Sequence, residues 1–297
     1  MRIHLIATGG AVMHNLALAL HQNGHVVTGS DDEIYNPAKD RLEKAGLLPP
    51  AFGWFPERIT PDLDLVILGM HARADNPELA RAQEIGVRVV SFPEFIYEHA
   101  KNKTRLVVAG SHGKTTTTAM IMHVLRKRNR DFDYLVGAQL EGFETMVRLS
   151  EAPVMVIEGD EYLSSPIDRQ AKFLHYKPHI AIVTGVAWDH INVFPTFEEY
   201  KLQFALLAEN LAEDGVFIFY KKDVYLREIV KKAGATIHAL PYSGFTCEIS
   251  DGKACVKLPD GEPIELEIFG DHNLANLHAA QLACQELGIS QKDFLEA

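Results

Sequence analysis

The stretch Leu106-Val107-Val108-Ala109-Gly110-Ser111-His112-Gly113-Lys114-Thr115-Thr116-Thr117-Thr118 passes from an apolar strand pattern through two glycines into a helix start. That order builds a phosphate cradle. Gly110 and Gly113 let backbone N–H groups converge on anionic oxygens, the helix opening near Lys114 presents its positive end, Lys114 adds a point charge, and Thr115 can place a hydroxyl on Mg²⁺. The predicted ligand is ATP with Mg²⁺, its phosphates held by Gly110, Ser111, His112, Gly113, Lys114, Thr115 and Thr116. The loop departs from the usual G-x-x-x-x-G-K-[ST] pattern, whose first glycine would fall at Val108.

Three later clusters could complete such a site. In Val156-Ile157-Glu158-Gly159-Asp160-Glu161-Tyr162, Glu158 ends an apolar strand and should emerge at the sheet edge that carries Lys114. Mg²⁺ prefers oxygen ligands and takes few carboxylates from protein, so Glu158 is the first choice beside Thr115; the acids 158, 160 and 161 also fit a solvated turn. Ala187-Trp188-Asp189-His190 follows another buried-strand pattern, Ile180 to Thr184. In Gly270-Asp271-His272-Asn273-Leu274-Ala275-Asn276 a helix opens with amide side chains that can read adenine, while Asp271 or Asn273 equally fits an N-cap.

Taken in order, these four motifs resemble those of the Mur ligases, the ADP-forming amide ligases that build the stem peptide of peptidoglycan. The resemblance implies that Lys114, Glu158 and His190 form the catalytic set, with Thr115, Glu158 and His190 at metal, and that Asn273 and Asn276 lie at the adenine and ribose. It further implies a reaction in which the lactyl carboxylate of UDP-N-acetylmuramate attacks the γ-phosphate of ATP and the resulting acyl phosphate is captured by an amine. Asp160-Glu161-Tyr162, then Asp168-Arg169 and Lys172 to Pro178, is similar to the longer segment of the branch that uses the preformed tripeptide L-alanyl-γ-D-glutamyl-meso-diaminopimelate in recycling. The L-alanine-adding branch is the alternative, and a UDP-sugar-binding module without catalysis is a second. Several relatives carry a carbamylated lysine where Phe204 falls here; Lys201 lies one turn earlier, and no carbamate is expected.

The elements that must position these groups read as α/β. At 297 residues two domains are the natural expectation, and the resemblance places a Rossmann-like UDP-N-acetylmuramate-binding domain at 1–102 and a central ATP-binding domain with a β-meander at 103–297. It covers the first two of the family's three domains, so the chain is expected to be a fragment without the C-terminal lid, one that binds UDP-N-acetylmuramate but does not catalyse ligation by itself. In the first domain, Ile3 to Ala7 is a strand, Thr8-Gly9-Gly10-Ala11-Val12-Met13 a turn into a helix, and Asp31 an acid closing the second strand, as in dinucleotide folds. Gly9-Gly10 alone fits an ordinary strand-to-helix turn. By resemblance Gly9, Gly10, Ala11 and Met13 contact the UDP moiety, with Thr8 and Val12 standing where the family has glycines. Asp31, and His71 and Arg73 at the carboxyl end of a third strand, complete the UDP-sugar set; Asn76-Pro77 fits either a substrate contact or a helix start.

Composition narrows the class. A net charge of −11 argues against nucleic-acid partners, and no apolar run approaches the roughly 20 residues that span a bilayer. Cys247, Cys255 and Cys284 lack Cys-x-x-Cys spacing, so neither a disulfide framework nor structural zinc is suggested and a cytoplasmic location is expected.

Overall fold

The computed structural model describes residues 1–188, 193–245, 247–250, 253–256, 264–266, 268 and 270–297. In chain order the elements are β1 Arg2–Ile6, α1 Ala11–Gln22, β2 Val26–Ser30, α2 Ala38–Lys44, β3 Leu65–Leu68, α3 Pro77–Ile85, β4 Val89–Ser91, α4 Phe92–Ala100, β5 Thr104–Ala109, α5 Lys114–Lys127, β6 Asp133–Leu135, β7 Val147–Arg148 and β8 Val154–Glu158. They continue as β9 Leu163–Ser165, β10 Asp168–Ala171, β11 Ile180–Val183, α6 Phe197–Glu209, β12 Val216–Tyr220, α7 Val224–Ala233, β13 His238–Tyr242, β14 Glu248–Ser250, β15 Lys253–Val256, β16 Ile264–Leu266, α8 Asp271–Glu286 and α9 Gln291–Leu295. No helix among the described residues is long and apolar enough to cross a membrane.

Two compact units emerge. The first contains Met1–Asn102 together with Asp133–Ala152 and Tyr162–Tyr176, two segments that a single cut after residue 102 assigns to the other unit. Its parallel sheet has the order β2-β1-β3-β4. Ile3, Leu5, Ile6 and all of Leu65 to Leu68 are buried, which is why these strands read as unbroken apolar runs rather than alternating ones. The Asn76 side chain caps α3 by accepting from the amides of Glu78 (2.9 Å) and Leu79 (3.2 Å), with Pro77 in the first turn, so the helix-start reading of Asn76 holds. Ser91 and Glu94 form a capping box on α4. The later segments are sewn in by polar contacts: Asn15 Oδ1 accepts from the Met146 amide at 3.0 Å, Asn23 donates to the Leu149 carbonyl at 2.9 Å, and His99 Nε2 lies 2.9 Å from the buried Asp133 carboxylate.

The second unit contains Lys103–Phe132, Pro153–Glu161 and Lys177–Ala297. Its core is a parallel run in the order β13-β12-β11-β5-β8, and β14-β15-β16 form an antiparallel meander whose turns, expected at Asp251-Gly252 and Asp260-Gly261, lie outside the described residues. Register matters most for function. Val108 pairs with Glu158 and Ala109 with Val183, so β5, β8 and β11 finish level and release their loops at one edge, the carboxyl edge where open α/β sheets take ligands.

Candidate functional site

The phosphate loop leaves β5 through Gly110 at φ +115° and enters α5 through Gly113 at φ +82°. Both are left-handed positions where a side chain is strained, and both are crowded. A Cβ on Gly110 would lie 2.4 Å from Thr184 Oγ1 and 2.6 Å from the Thr184 amide nitrogen. On Gly113 it would lie 2.6 Å from Asn276 Oδ1, so the α8 amide rests directly on the loop. The Ser111 amide donates to the Gly185 carbonyl at 3.0 Å, and its hydroxyl accepts from the Ala187 amide at 2.7 Å, tying the loop to the exit of β11.

Two side chains of α5 reach acids released by β8. Lys114 Nζ donates to the Gly110 carbonyl at 2.7 Å and to Glu161 Oε2 at 3.2 Å, and Glu161 is completely buried. Thr115 Oγ1 donates to Glu158 Oε1 at 2.9 Å. These two oxygens are of the hard type that suits Mg²⁺, which takes few protein oxygens and leaves the remainder to water and substrate. Among the described residues no group of three or more His, Cys, Asp or Glu is arranged to hold a metal ion. His190 lies outside the described residues.

A cavity of about 320 Å³ adjoins the loop, lined by Ser111, His112, Gly113, the Thr184–Ala187 exit, Tyr220, Lys222, Asp223, Tyr242, His272 and Asn276. Asn273 sits exposed one turn earlier on α8 and is not in that lining, and Thr116 is likewise exposed. Asp223 was not foreseen: its Oδ1 caps α7 by accepting from Tyr225 (2.8 Å) and Leu226 (3.0 Å), while Oδ2 accepts from the Val186 amide at 2.7 Å. Its place just after β12 is the one signal that could have found it. Burial pushes the Tyr242 phenol well above its ordinary value and the His278 imidazole below its own, so both stay uncharged at neutral pH. Phe204, where a carbamylated lysine was considered, is wholly buried in α6, and Lys201 pairs with Glu198.

In the first unit, the β1–α1 turn forms a second cradle. Gly10 precedes α1 with no side-chain cap, leaving the first amides of a 12-residue helix open to an anion. The Gly9 amide donates to Asp31 Oδ2 at 2.7 Å, and burial raises the Asp31 carboxyl to about 6 despite that bond. His71 approaches the turn, 3.7 Å from where a Cβ on Gly10 would stand. Ala11 is exposed at the helix start, Met13 is buried beneath it, and Arg73 is exposed and paired with Asp75 at 3.0 Å. Ala7, just before the residues that stand where the family has glycines, takes a positive φ of +66°. Thr8 is buried with its Cβ only 2.7 Å from the position a Cβ on Gly29 would take, so it fills space that Gly29 leaves open.

With this geometry in view, comparison with known proteins is informative. Residues 108–284 match the Mur ligase middle domain and residues 2–104 match the Mur ligase family, catalytic domain. The chain is 29% identical, over its whole length and 66% of the relative, to the UDP-N-acetylmuramate--L-alanyl-gamma-D-glutamyl-meso-2,6-diaminoheptandioate ligase of Escherichia coli (strain K12). It is 30% identical, again over its whole length and 64% of the relative, to the UDP-N-acetylmuramate--L-alanine ligase of Carboxydothermus hydrogenoformans. It thus spans about two thirds of the length of such curated relatives. Among solved structures it superposes on the UDP-N-acetylmuramate:L-alanyl-gamma-D-glutamyl-meso-diaminopimelate ligase from Neisseria meningitides with a TM-score of 0.87 at 26% identity, covering 99% of this chain and 96% of that one. The UDP-N-acetylmuramate-alanine ligase from Thermotoga maritima gives a TM-score of 0.72 at 25% identity, covering 100% and 67%.

Proposed function

The chain belongs to the Mur ligase family, whose members are ATP-dependent amide-forming ligases, and from that premise we propose that it carries the nucleotide and UDP-sugar sites of the enzyme that joins UDP-N-acetylmuramate to L-alanyl-γ-D-glutamyl-meso-diaminopimelate in the cytoplasm. The observation that carries an enzymatic reading is the pairing of Lys114 with a Thr115–Glu158 oxygen pair on one phosphate loop. A module that only senses UDP-sugars has no need of phosphoryl-transfer groups.

In this reading Lys114 and the loop amides hold the phosphates of ATP, and Thr115 and Glu158, with His190, hold Mg²⁺, which when bound supplies positive charge against the phosphate oxygens. The substrate carboxylate oxygen bonds to the γ-phosphorus as ADP departs. The tripeptide amine then bonds to the acyl carbon, inorganic phosphate leaves, and the amine gives up a proton. Asn273 and Asn276 take the adenine and ribose, a reading supported for Asn276 by its position on the cavity wall beside Gly113. In the first unit the open N-terminus of α1, with Gly9, Gly10, Ala11, Met13, Asp31, His71 and Arg73 around it, takes the UDP diphosphate and sugar.

The tripeptide is preferred over L-alanine as amine because the higher structural similarity lies with the tripeptide-using enzyme, at a TM-score of 0.87 against 0.72. The L-alanine reaction is the second reading, favoured by the comparably identical L-alanine ligases. ADP release by the full-length protein with UDP-N-acetylmuramate and either amine separates them. Turnover with tripeptide alone is expected; turnover with L-alanine alone overturns the choice, and ADP release that persists unchanged in Lys114→Ala overturns the site.

A further inference from the structure

The phosphate-loop lysine is not held by the loop alone. Lys114 lies between the Gly110 carbonyl and a carboxylate, Glu161, that is entirely shielded from water. The other oxygen of that carboxylate, Oε1, accepts from the hydroxyl of Tyr200 at 3.0 Å, and Tyr200 is itself wholly buried in α6. The Tyr200 hydroxyl also lies 3.0 Å from Ser111 Oγ, the group that ties the phosphate loop to the exit of β11. A continuous polar chain therefore runs from Ala187 through Ser111, Tyr200 and Glu161 to Lys114. The Tyr200–Glu161 link was not signalled by local sequence, because those two residues are brought together only by the order of β8, β5 and β11.

We propose that Glu161 and Tyr200 are positioning residues that set how strongly Lys114 attracts phosphate, with Glu161 acting as a counter-charge and Tyr200 dividing the carboxylate between itself and the lysine. This rests on the reading of residues 110–115 as the phosphate site of ATP. A buried carboxylate beside an ammonium cancels much of the field that the ammonium would otherwise direct at an incoming anion. Removing the charge while keeping the shape should strengthen anion binding. Removing the tyrosine hydroxyl should do the reverse, because Glu161 then loses a competing donor, holds Lys114 more firmly, and phosphate competes less well for the lysine.

The two substitutions thus have opposite signs, which a merely structural role would not produce, since loss of packing or of a buried hydrogen bond weakens binding in both. The test is titration of the full chain with a fluorescent ATP analogue in the presence of Mg²⁺. Wild type should bind and Lys114→Ala should lose binding. Against that scale Glu161→Gln should bind about tenfold more tightly, since a unit charge is removed close to the phosphates in a partly shielded site. Tyr200→Phe should bind about threefold more weakly, because only part of the worth of one buried hydrogen bond reaches the phosphate through Lys114. With wild type binding and Lys114→Ala impaired, Glu161→Gln binding no more tightly than wild type overturns the proposal. Should Glu161→Gln fail to fold, Tyr200→Phe decides by itself: unchanged or tighter binding overturns the proposal. Absence of binding by wild type, or its persistence in Lys114→Ala, overturns the phosphate-site reading and the inference together.

Discussion

Replacing Gly113 by alanine tests the fit between the phosphate loop and α8. Two effects are separable. The φ of +82° imposes a left-handed conformation on a residue with a Cβ, which costs about 1–2 kcal/mol. For a unit of this size that lowers the melting temperature by roughly 3–6 °C. The second effect is contact: the new Cβ would stand 2.6 Å from Asn276 Oδ1 and 3.0 Å from its Nδ2, so the amide must swing away. If that amide reads the nucleotide, its displacement removes a hydrogen bond worth about 1 kcal/mol, close to a fivefold loss of affinity beyond any loss caused by the loop itself. Asn276→Ala alone should lose the same amount. Gly113→Ala with Asn276→Ala should then bind nucleotide no worse than Gly113→Ala alone, a coupling of about 1 kcal/mol between two residues that share no bond. Thermal melts and fluorescent-nucleotide titrations of the four proteins close the cycle. Additive affinities would refute the argument, because they would mean that Asn276 reaches the nucleotide independently of the loop glycine or not at all.

Ala7 sits at φ +66°, so Ala7→Gly should stabilise the protein by about 1 kcal/mol in denaturant titration, and Ala7→Val should lower stability. Gly29→Ala should be strongly destabilising because its Cβ would lie 2.7 Å from that of Thr8, and Thr8→Gly in the same chain should restore much of the loss, as read from melting temperatures. Burial raises Asp31 to about 6 from 3.8, so the folded state holds its proton more tightly than the unfolded chain. The stability this group contributes is complete below about pH 4 and is lost as pH rises through about 6. Asp31→Asn should flatten that portion of the stability–pH curve; an unchanged curve would show that Asp31 titrates normally.

What the sequence makes legible is local. The strand that breaks at Gly110, the lysine and threonine that follow Gly113, and the acid that terminates β8 all depend on residues near one another in the chain. Of the two readings of Asn76-Pro77, the helix start at α3 is local in the same way, and it is the one the Asn76 cap shows. Tyr200 and Asp223 carry no such signature, and Glu161, legible only as one acid of a cluster that also fits a solvated turn, is wholly buried. Their contacts exist because β11 lies beside β5 and β5 beside β8, an order that hydrophobic periodicity does not contain. The Ala7 conformation is equally illegible, because missing glycines at positions 8 and 12 do not say which residue takes a positive φ; the backbone puts it at Ala7, and Gly29 opens space for the Thr8 side chain.

The discontinuous make-up of the first unit has a consequence for how the chain comes off the ribosome. The strands of its parallel sheet are complete by Ser91, yet Asn15, Asn23 and His99 wait for partners at Met146, Leu149 and Asp133, and the hairpin of β9 and β10 arrives later still. Roughly 70 residues separate Asn102 from Tyr176, a delay of about 4–15 s at ordinary elongation rates. During that interval β5, α5 and β8, which belong to the other unit, emerge while the first still has unsatisfied polar groups. The nascent sheet is therefore exposed to chaperones and to mispairing for as long as the interrupting segments take to appear.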